Sequence, residues 1–304
     1  MQSHLIKKLL LLIMLMLTIK CYANSNDTTL HLNFNSGNAA PYGMASTVVT
    51  INGHKLPLLF DLGASKDSIV LFPAALKKIK VHFRGNETCS TFGISFSGKS
   101  CLQNFILAKL IIGHFVLHNV PGQFTKQIWG GNAPKKNRNA FKYGVIGMKF
   151  LEKYGVLIDY SKSLVILSKN NKMPRSYAHK KWITVPFKIA GGIMTVARIN
   201  NHNPVKFIWD TGSIPSIINN KNLFGSTIKN CHAYLPYSVN CKSIITKSFS
   251  IDGKKLPNTW FMVESIPLAA PFTGLVGDNF FRNNVVYVDF KKHRISILAR
   301  RSQI

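Results

Sequence analysis

Acidic residues are scarce in this 304-residue chain, which has 11 Asp and Glu against 39 Lys and Arg and a formal net charge of +28 at pH 7. Chance rarely places such scarce residues at matched positions, so an acid in an apolar setting is informative. Lys and Arg are spread along the whole chain, with no basic arm or recognition helix. This favours association with anionic envelope surfaces over selection of acidic substrates or a specific nucleic-acid partner.

Several catalytic and metal-binding motifs are also absent. The ten His residues show no HExxH or clustered spacing, and no Gly-x-Ser-x-Gly or CxxC occurs. These absences disfavour a metal hydrolase and a serine hydrolase with a nucleophile elbow. No apolar run after residue 23 is long enough to cross a bilayer.

Residues 1–23 have the layout of an export signal. A basic start is followed by the apolar run 9–19, and the segment closes on a small residue, Ala23. We predict a cleaved signal peptide and an exported protein, periplasmic or secreted. A retained anchor and a lipid attachment are the alternatives, although Lys20 before Cys21 disfavours the latter.

Four cysteines follow this segment, Cys89, Cys101, Cys231 and Cys241, and export would take them to an oxidising compartment. Four cysteines allow three pairings, and proximity in sequence favours Cys89–Cys101 and Cys231–Cys241. A tetrahedral metal site is the alternative, but the two pairs lie far apart in the sequence. Paired cysteines also disfavour Cys–His catalysis.

The chain contains the same unit twice. In the first copy, an alternating strand from Ser46 to a turn at Gly53 is followed by an apolar strand that ends in Asp61-Leu-Gly-Ala. In the second copy, the strand from Met194 is followed by an apolar strand that ends in Asp210-Thr-Gly-Ser. A short apolar strand and a cysteine pair follow each acid.

The ends of the units match as well. Gly144-Val-Ile-Gly147 corresponds to Gly274-Leu-Val-Gly277, and twelve residues separate each closing glycine from a second matched acid, Asp159 or Asp289. Those two acids precede aromatic residues at strand ends and are interpreted as structural. Only the first copy carries a basic, Gly- and Asn-rich insertion, residues 121–142.

Short β-branched runs between Gly, Asn and Pro turns predict an all-β protein of two similar, closed-barrel-like lobes with few short helices, near residues 73–80, 148–153 and 278–282. The predicted segments are a signal peptide (1–23), an N-terminal segment (24–45), a first lobe (46–168), a linker (169–183) and a second lobe (184–304).

Each unit has an Asp-x-Gly loop and, later in the unit, two apolar residues followed by a glycine, Gly147 or Gly277. This repeated pattern resembles that of the aspartic peptidases. The chain is similar to two retropepsin-like domains joined in one polypeptide, and also to the two-lobed pepsin-like enzymes. The resemblance implies the acid-protease fold with pseudo-twofold symmetry. It also implies a monomer whose halves form a pseudo-dimer, a peptide or protein substrate, and neither cofactor nor metal.

The resemblance implies that Asp61 and Asp210 are the catalytic pair of an aspartic endopeptidase. Two carboxyl groups so close cannot both ionise easily, so one can activate water while the other protonates the carbonyl oxygen. The supporting residues would be Gly63 and Gly212, which permit tight loops, Thr211, which would donate across the lobe junction, and Ser213, which could donate to Asp210. Leu62 and Ala64 stand at the matching positions without a hydroxyl group.

The cysteine pairs fall roughly where this family has the β-hairpin flap that covers the substrate. We therefore expect two flaps, one per lobe, each tied by a disulfide, with Phe92, Phe96, Tyr234 and Tyr237 as candidate substrate contacts. Ordinary loop staples are the alternative. Other functions remain open: a peptidase-like module that binds peptides without cleaving them, which Leu62 favours, and a basic nucleic-acid binder. Asp61 and Asp210 could also be surface turn acids, which their apolar approach strands disfavour.

Overall fold

The computed structural model of the chain describes residues 26–35, 44–64, 66, 68–90, 100–126, 142–200, 202–219, 228–230, 241–265 and 272–300. The predicted signal peptide, the middle of the 121–142 insertion, Cys231 and the four aromatic flap candidates lie outside these ranges. None of the helices within them is long and apolar enough to cross a membrane.

The described residues are mostly strand, with four short helices and one 3-10 turn, η1. The helices and the turn are α1 Pro73–Leu76, α2 Met148–Leu151, η1 Tyr160–Lys162, α3 Arg175–Ala178 and α4 Asp278–Asn283. The strands are β1 Asp27–Asn35, β2 Met44–Ile51, β3 His54–Asp61, β4 Ile69–Leu71, β5 His82–Ser90, β6 Ser100–Ile112, β7 Phe115–Phe124, β8 Gly144–Gly147, β9 Gly155–Asp159, β10 Leu164–Ser168, β11 Ile183–Pro186, β12 Lys188–Ile189, β13 Ile193–Ile199, β14 Val205–Trp209, β15 Ile217–Asn219, β16 Ile228–Asn230, β17 Lys242–Ile245, β18 Phe249–Ile251, β19 Lys254–Lys255, β20 Trp260–Glu264, β21 Gly274–Val276, β22 Asn284–Asp289 and β23 Arg294–Ala299.

The first lobe is a closed barrel of six strands. Its strand order is β2-β3-β8-β4-β7-β6, and β6 closes the barrel by pairing with β2. In β2 and β3 apolar side chains alternate toward a buried interior, as in Val49, Ile51, Leu56 and Leu58, all at most 1 % exposed. Alternation places one face of each strand in the barrel core.

The second lobe is a curled half-barrel built from β13 to β21. β14 pairs in parallel with β21, as β3 pairs in parallel with β8 in the first lobe. The prediction of an all-β fold with two barrel-like lobes and few short helices is confirmed. Helices also begin where the sequence predicts them, at Pro73, Met148 and Asp278.

Strands from both halves of the chain meet in a continuous sheet with the order β11-β23-β22-β9-β10-β1. β9 of the first half pairs antiparallel with β22 of the second half, with Val286 opposite Ile158. β1 then connects this sheet to the first barrel, because it pairs with both β10 and β2. This strand, Asp27–Asn35, is not among the strands predicted from the sequence.

Two predicted segments differ in detail from the structure. The 121–142 insertion begins inside β7, which runs through Phe124. The predicted linker 169–183 contains α3, and its last residue begins β11, which pairs with β23 near the end of the chain.

Candidate active site

The two lobes deliver Asp61 and Asp210 by the same route. Asp61 is the last residue of β3 and lies beside Gly147 of β8 in the parallel register. Asp210 directly follows β14, and its N–H donates to the Val276 carbonyl at 2.9 Å. In each case a buried apolar strand ends at the acid, with Phe60 at 0 % and Trp209 at 1 % exposed.

Close approach of the two loops explains the glycines. A Cβ on Gly63 would overlap the carboxyl group of Asp210, and a Cβ on Gly212 would stand 2.6 Å from Cγ of Asp61. Each glycine therefore lies against the acid of the opposite lobe, and the two carboxyl groups face each other. Any side chain at either glycine would push these groups apart.

Backbone N–H groups hold each carboxylate. Asp61 Oδ1 accepts from the N–H groups of Gly63 at 2.7 Å and Ala64 at 3.2 Å, and Asp210 Oδ1 accepts from the Gly212 N–H at 2.8 Å. Asp61 is 7 % and Asp210 5 % exposed, so both acids are largely withdrawn from water.

Burial raises the pKa of both acids. The pKa of Asp61 is raised well above its ordinary value, first by burial and then by the nearby charge of Asp210. Burial also raises the pKa of Asp210, while the hydrogen bonds from Gly212 and Asp61 oppose that rise. The pair therefore retains one proton to a higher pH than an isolated aspartate, and that proton belongs to the pair as a unit.

Thr211 connects the loops across the lobe junction. Its hydroxyl donates to the Phe60 carbonyl at 3.1 Å and accepts from the Leu62 N–H at 2.9 Å. Leu62, at the matching position, has no hydroxyl group to form equivalent bonds, and its side chain is fully buried in the hydrophobic core. The cross-lobe brace therefore depends on one hydroxyl group instead of two.

The backbone N–H of Ser213 lowers the pKa of Asp210, but the Ser213 hydroxyl differs from the sequence-based expectation. It donates to the Pro215 carbonyl at 2.8 Å, so its proton is not directed at the Asp210 carboxylate. The turn Ser213-Ile-Pro215 brings this carbonyl within reach of the hydroxyl, and that local contact competes with the acid.

Sequence reasoning missed a layer of residues behind the Asp210 loop. The side-chain oxygen of Asn279 accepts from both the N–H and the hydroxyl of Ser216, at 2.6 and 2.7 Å. Asp278, beside it on α4, is fully buried, and burial raises its pKa well above the ordinary value. The signal was available, because Asp278 is one of only eight Asp residues and directly follows the closing Gly277.

The predicted bond between Cys89 and Cys101 is present. These residues are cross-strand partners in the antiparallel β5–β6 hairpin, so the disulfide staples that hairpin. Cys241 is also disulfide-bonded, while Cys231, its predicted partner, is not among the described residues. Glu87, Cys89 and Cys101 form the one metal-ligand-like group in the described part of the chain, and the disulfide occupies both of its sulfur atoms.

A comparison with known proteins covers part of the first lobe. Residues 47–150 match the family model described as Aspartyl protease. This segment includes β3, the Asp61 loop and the closing Gly147, and the match supports an aspartyl protease family. No curated protein matches the chain.

Proposed function

We propose that the protein is an aspartic endopeptidase in which Asp61 and Asp210 form the catalytic dyad. The observation that carries this proposal is the meeting of two buried carboxyl groups, one from each half of the chain, across paired glycines. The aspartyl protease match over residues 47–150 supports the same class. The substrate would be a peptide or protein.

The chemistry follows from the shared proton. The ionised carboxylate takes a proton from water as the water oxygen attacks the peptide carbonyl carbon, and the protonated carboxyl group donates to the carbonyl oxygen. A tetrahedral diol forms. The C–N bond then breaks as the nitrogen takes a proton and the diol gives one back, which yields a carboxylic acid, an amine and the original dyad.

The stapled β5–β6 hairpin is proposed as a flap over the substrate. The disulfide between Cys89 and Cys101 supports this, because it would limit the loosening of the hairpin near its tip. Phe92 and Phe96 would lie within that tip, and Tyr234 and Tyr237 would belong to the matching segment of the second lobe.

Export, to the periplasm or out of the cell, is likewise proposed. A disulfide within the described residues fits an oxidising compartment, and residues 1–23 have the composition of a signal peptide. N-terminal sequencing of protein recovered from the envelope and the medium should find a start near Asn24; an intact N-terminus in both fractions would contradict cleavage.

The dyad is tested by Asp61→Asn and Asp210→Asn, assayed on an unstructured protein such as denatured casein across a pH series. Each variant should lose at least about a thousandfold in kcat, because neither acid can do both proton transfers alone. Asp252→Asn, at an exposed turn of the second lobe, is the control and should retain activity.

Wild-type activity should fall at low pH, when both acids are protonated, and again as pH rises above the raised pKa of the pair. A wild-type protein that cleaves nothing at any pH but binds peptides would instead indicate a binding module. Cleavage that survives both Asp→Asn changes would place the chemistry elsewhere.

A further inference from the structure

The outer face of the second lobe carries an open groove of about 570 Å³. It is bordered by the junction of β11 and β12, by β13, by the start of β14 and by the β18–β19 turn. A groove of this size can hold a short peptide segment. Its lining residues include neither acid of the proposed dyad and no residue of the two Asp-x-Gly loops.

Cross-strand pairs form the floor of this groove, which we call the lateral groove. Residues directly opposite each other in antiparallel strands point to the same face of the sheet, and three successive pairs along β13 each contain one cation. The alternate residues of β13 are buried in the lobe on the other face of the strand. The three pairs that define the lateral groove are Lys188 with Met194, Lys206 with Val196, and Arg198 with Ser250.

The charge of the lateral groove favours an anionic ligand. Lys188, Arg198 and Lys206 line the groove and are exposed, and no ion pair in the described part of the chain uses any of them. Asp252 is the one acid among the described lining residues. It would repel an anion and is not one of the groups proposed to bind it, and three positive charges outweigh its single negative charge.

An apolar strip lies between these cations. Val196 is 49 % exposed, whereas its neighbours along β13, Thr195 and Ala197, are buried. Met194 continues the strip toward the start of the strand. Apolar surface between a few charged groups fits a ligand that has apolar groups as well as carboxylates.

The first lobe carries no charge at the equivalent pairs. The internal repeat and the strand registers identify these pairs, because β2 corresponds to β13 and β3 to β14. All of their residues are neutral. The matching pairs are Asn33 with Ser46, Pro57 with Val48, and Ile111 with Thr50.

An interruption in one strand accompanies the groove. In the first lobe β1 runs unbroken for nine residues, and Thr28 on it accepts from the His114 N–H at the β6–β7 turn at 2.9 Å. In the second lobe the counterpart of β1 is divided at Phe187 into β11 and β12. At the β18–β19 turn a Cβ on Gly253 would meet nothing within 4 Å, so the corresponding place is open.

We propose that the lateral groove binds an acidic, extended segment of the protein substrate, remote from the bond that is cut. The inference rests on the proposed peptidase function and adds a substrate class to it. Successive pairs along β13 are two residues apart, which is about 7 Å and equals the spacing of alternate side chains in an extended peptide. Acidic residues at alternate positions can therefore each approach one cation.

Shape and charge favour a peptide over two other occupants. A second copy of this chain, with a formal net charge of +28, would be repelled by the cations. An anionic bilayer would contact protruding side chains, whereas these pairs line a concave surface. An extended acidic chain can enter the groove and contact both the cations and the apolar strip.

The position of the groove limits the substrates that could use it. Lys206 precedes Asp210 by four residues, which is about 13 Å along an extended strand. A substrate bound at both places therefore needs at least about four extended residues between its acidic segment and the scissile bond.

Binding is tested with a fluorescent alternating Glu-Thr peptide and a matched Gln-Thr peptide, by anisotropy at low salt. The full chain carries Asp210→Asn so that the probe is not cleaved. The Glu-Thr peptide should bind at least about tenfold more tightly than the Gln-Thr peptide, and high salt should remove this preference.

Two triple variants with the same change in net charge locate the binding. Replacing the three groove cations with Gln should weaken Glu-Thr binding at least about tenfold, and Lys206→Gln alone about two- to threefold. The matched control replaces three exposed lysines of the first lobe and should weaken binding less than about twofold. Thermal unfolding checks that each variant is folded. The groove variant is Lys188→Gln, Arg198→Gln and Lys206→Gln, and the control is Lys55→Gln, Lys80→Gln and Lys109→Gln.

Cleavage is tested in the wild-type dyad with a peptide substrate that carries the Glu-Thr or the Gln-Thr segment beyond a spacer. The Glu-Thr segment should lower KM at least about fivefold and change kcat less than about twofold, because it acts away from the reacting bond. The groove variant should lose this advantage, and the control variant should keep it.

Equal binding of the two probes, or equal weakening by both triple variants, would overturn the inference. So would a groove variant that loses binding to phosphatidylglycerol vesicles while the wild type shows no preference for the Glu-Thr peptide, because the occupant would then be a membrane. A wild type that binds the Glu-Thr peptide through the groove but cleaves nothing would count against the peptidase function alone.

Discussion

The two lobes close their sheets with different strands. In the first lobe β6 has 13 residues and β7 has 10, and both run without interruption. In the second lobe the corresponding strands are divided, β17 from β18 and β19 from β20. Pro257 lies in the second of these breaks, where it cannot donate to a sheet.

The residues at the end of this break help to anchor the loop that carries Asp210. Asn279 donates to the Trp260 carbonyl at 2.9 Å and to the Thr259 hydroxyl at 3.1 Å, at the start of β20. Through its oxygen the same side chain holds Ser216, whose hydroxyl also accepts from the Gly277 N–H at 2.9 Å. The equivalent hydroxyl of the first lobe, on Ser68, is buried without a hydrogen-bond partner in the described residues.

The two lobes hold their Asp-x-Gly loops in different ways. The side chains of the second loop supply hydrogen bonds, from Ser216 to Asn279 and from Thr211 across to the backbone of the first loop. The first-loop side chains of Leu62 and Ala64, both fully buried, contribute packing instead. Only the acid and the glycine recur in both, because the glycine must let the opposite carboxyl group approach. The other loop positions can differ as long as each loop is rigid.

The largest effect that would separate the two loops is expected from Thr211→Val, which keeps the shape and removes the hydroxyl. It leaves the Phe60 carbonyl and the Leu62 N–H buried without their partner. We expect a loss of about 2–4 kcal/mol in the free energy of unfolding and at least a tenfold fall in kcat. Urea unfolding and steady-state kinetics measure the two quantities.

Leu62→Val is the matched change in the first loop. It removes one methylene group from a packed site and should cost about 1 kcal/mol, with little loss of kcat. Equal losses of kcat for Thr211→Val and Leu62→Val would show that the loops are supported in the same way.

A smaller effect is expected from Asp278→Asn, which removes the buried acid that the first lobe replaces with Met148. An acid whose pKa is raised by folding stabilises the folded protein fully below its unfolded pKa, and this contribution is lost as pH rises through the folded pKa. The pKa of Asp278 stays raised although the nearby positive charge of Arg282 lowers it, so the cost of burying the ionised carboxylate exceeds its attraction to Arg282. At pH 7 the Asn variant should therefore be more stable, by up to about 1 kcal/mol.

Thermal unfolding between pH 4 and pH 8 would measure this difference. The wild type should lose stability with rising pH more steeply than Asp278→Asn, and Asp252→Asn, at an exposed position, should follow the wild type. Parallel curves for wild type and Asp278→Asn would contradict the prediction.

Much of the fold could be predicted because the same pattern of strands, turns, Asp and Gly occurs twice in the sequence. Alternating apolar residues, turn residues and matched Asp and Gly positions are local in sequence, so they indicated the strands, the two barrel-like lobes and the Asp61 and Asp210 loops. The Cys89–Cys101 bond was predicted from proximity in the same way. Association with anionic envelope surfaces stays a prediction.

Other features depend on partners distant in sequence. Residues 27–35 alternate apolar Leu30, Leu32 and Phe34 with polar residues, but only the structure shows that this strand, β1, connects the first barrel to the central sheet. The Ser213 hydroxyl was assigned to Asp210 by analogy, but the carbonyl of Pro215 competes for it. The hydrogen bonds of Ser216 to Asn279 join residues 63 positions apart, which no local pattern could indicate.

The amino-acid sequence by itself determined which residues could do the chemistry, because acids and glycines at matched positions are visible without coordinates. Only the tertiary structure decided how each loop is held. Hydrogen bonding and packing at the Leu62 and Thr211 loops depend on residues supplied from other strands and from the opposite lobe. The physical reason is that burial and donor–acceptor geometry are properties of the assembled protein and of no single segment.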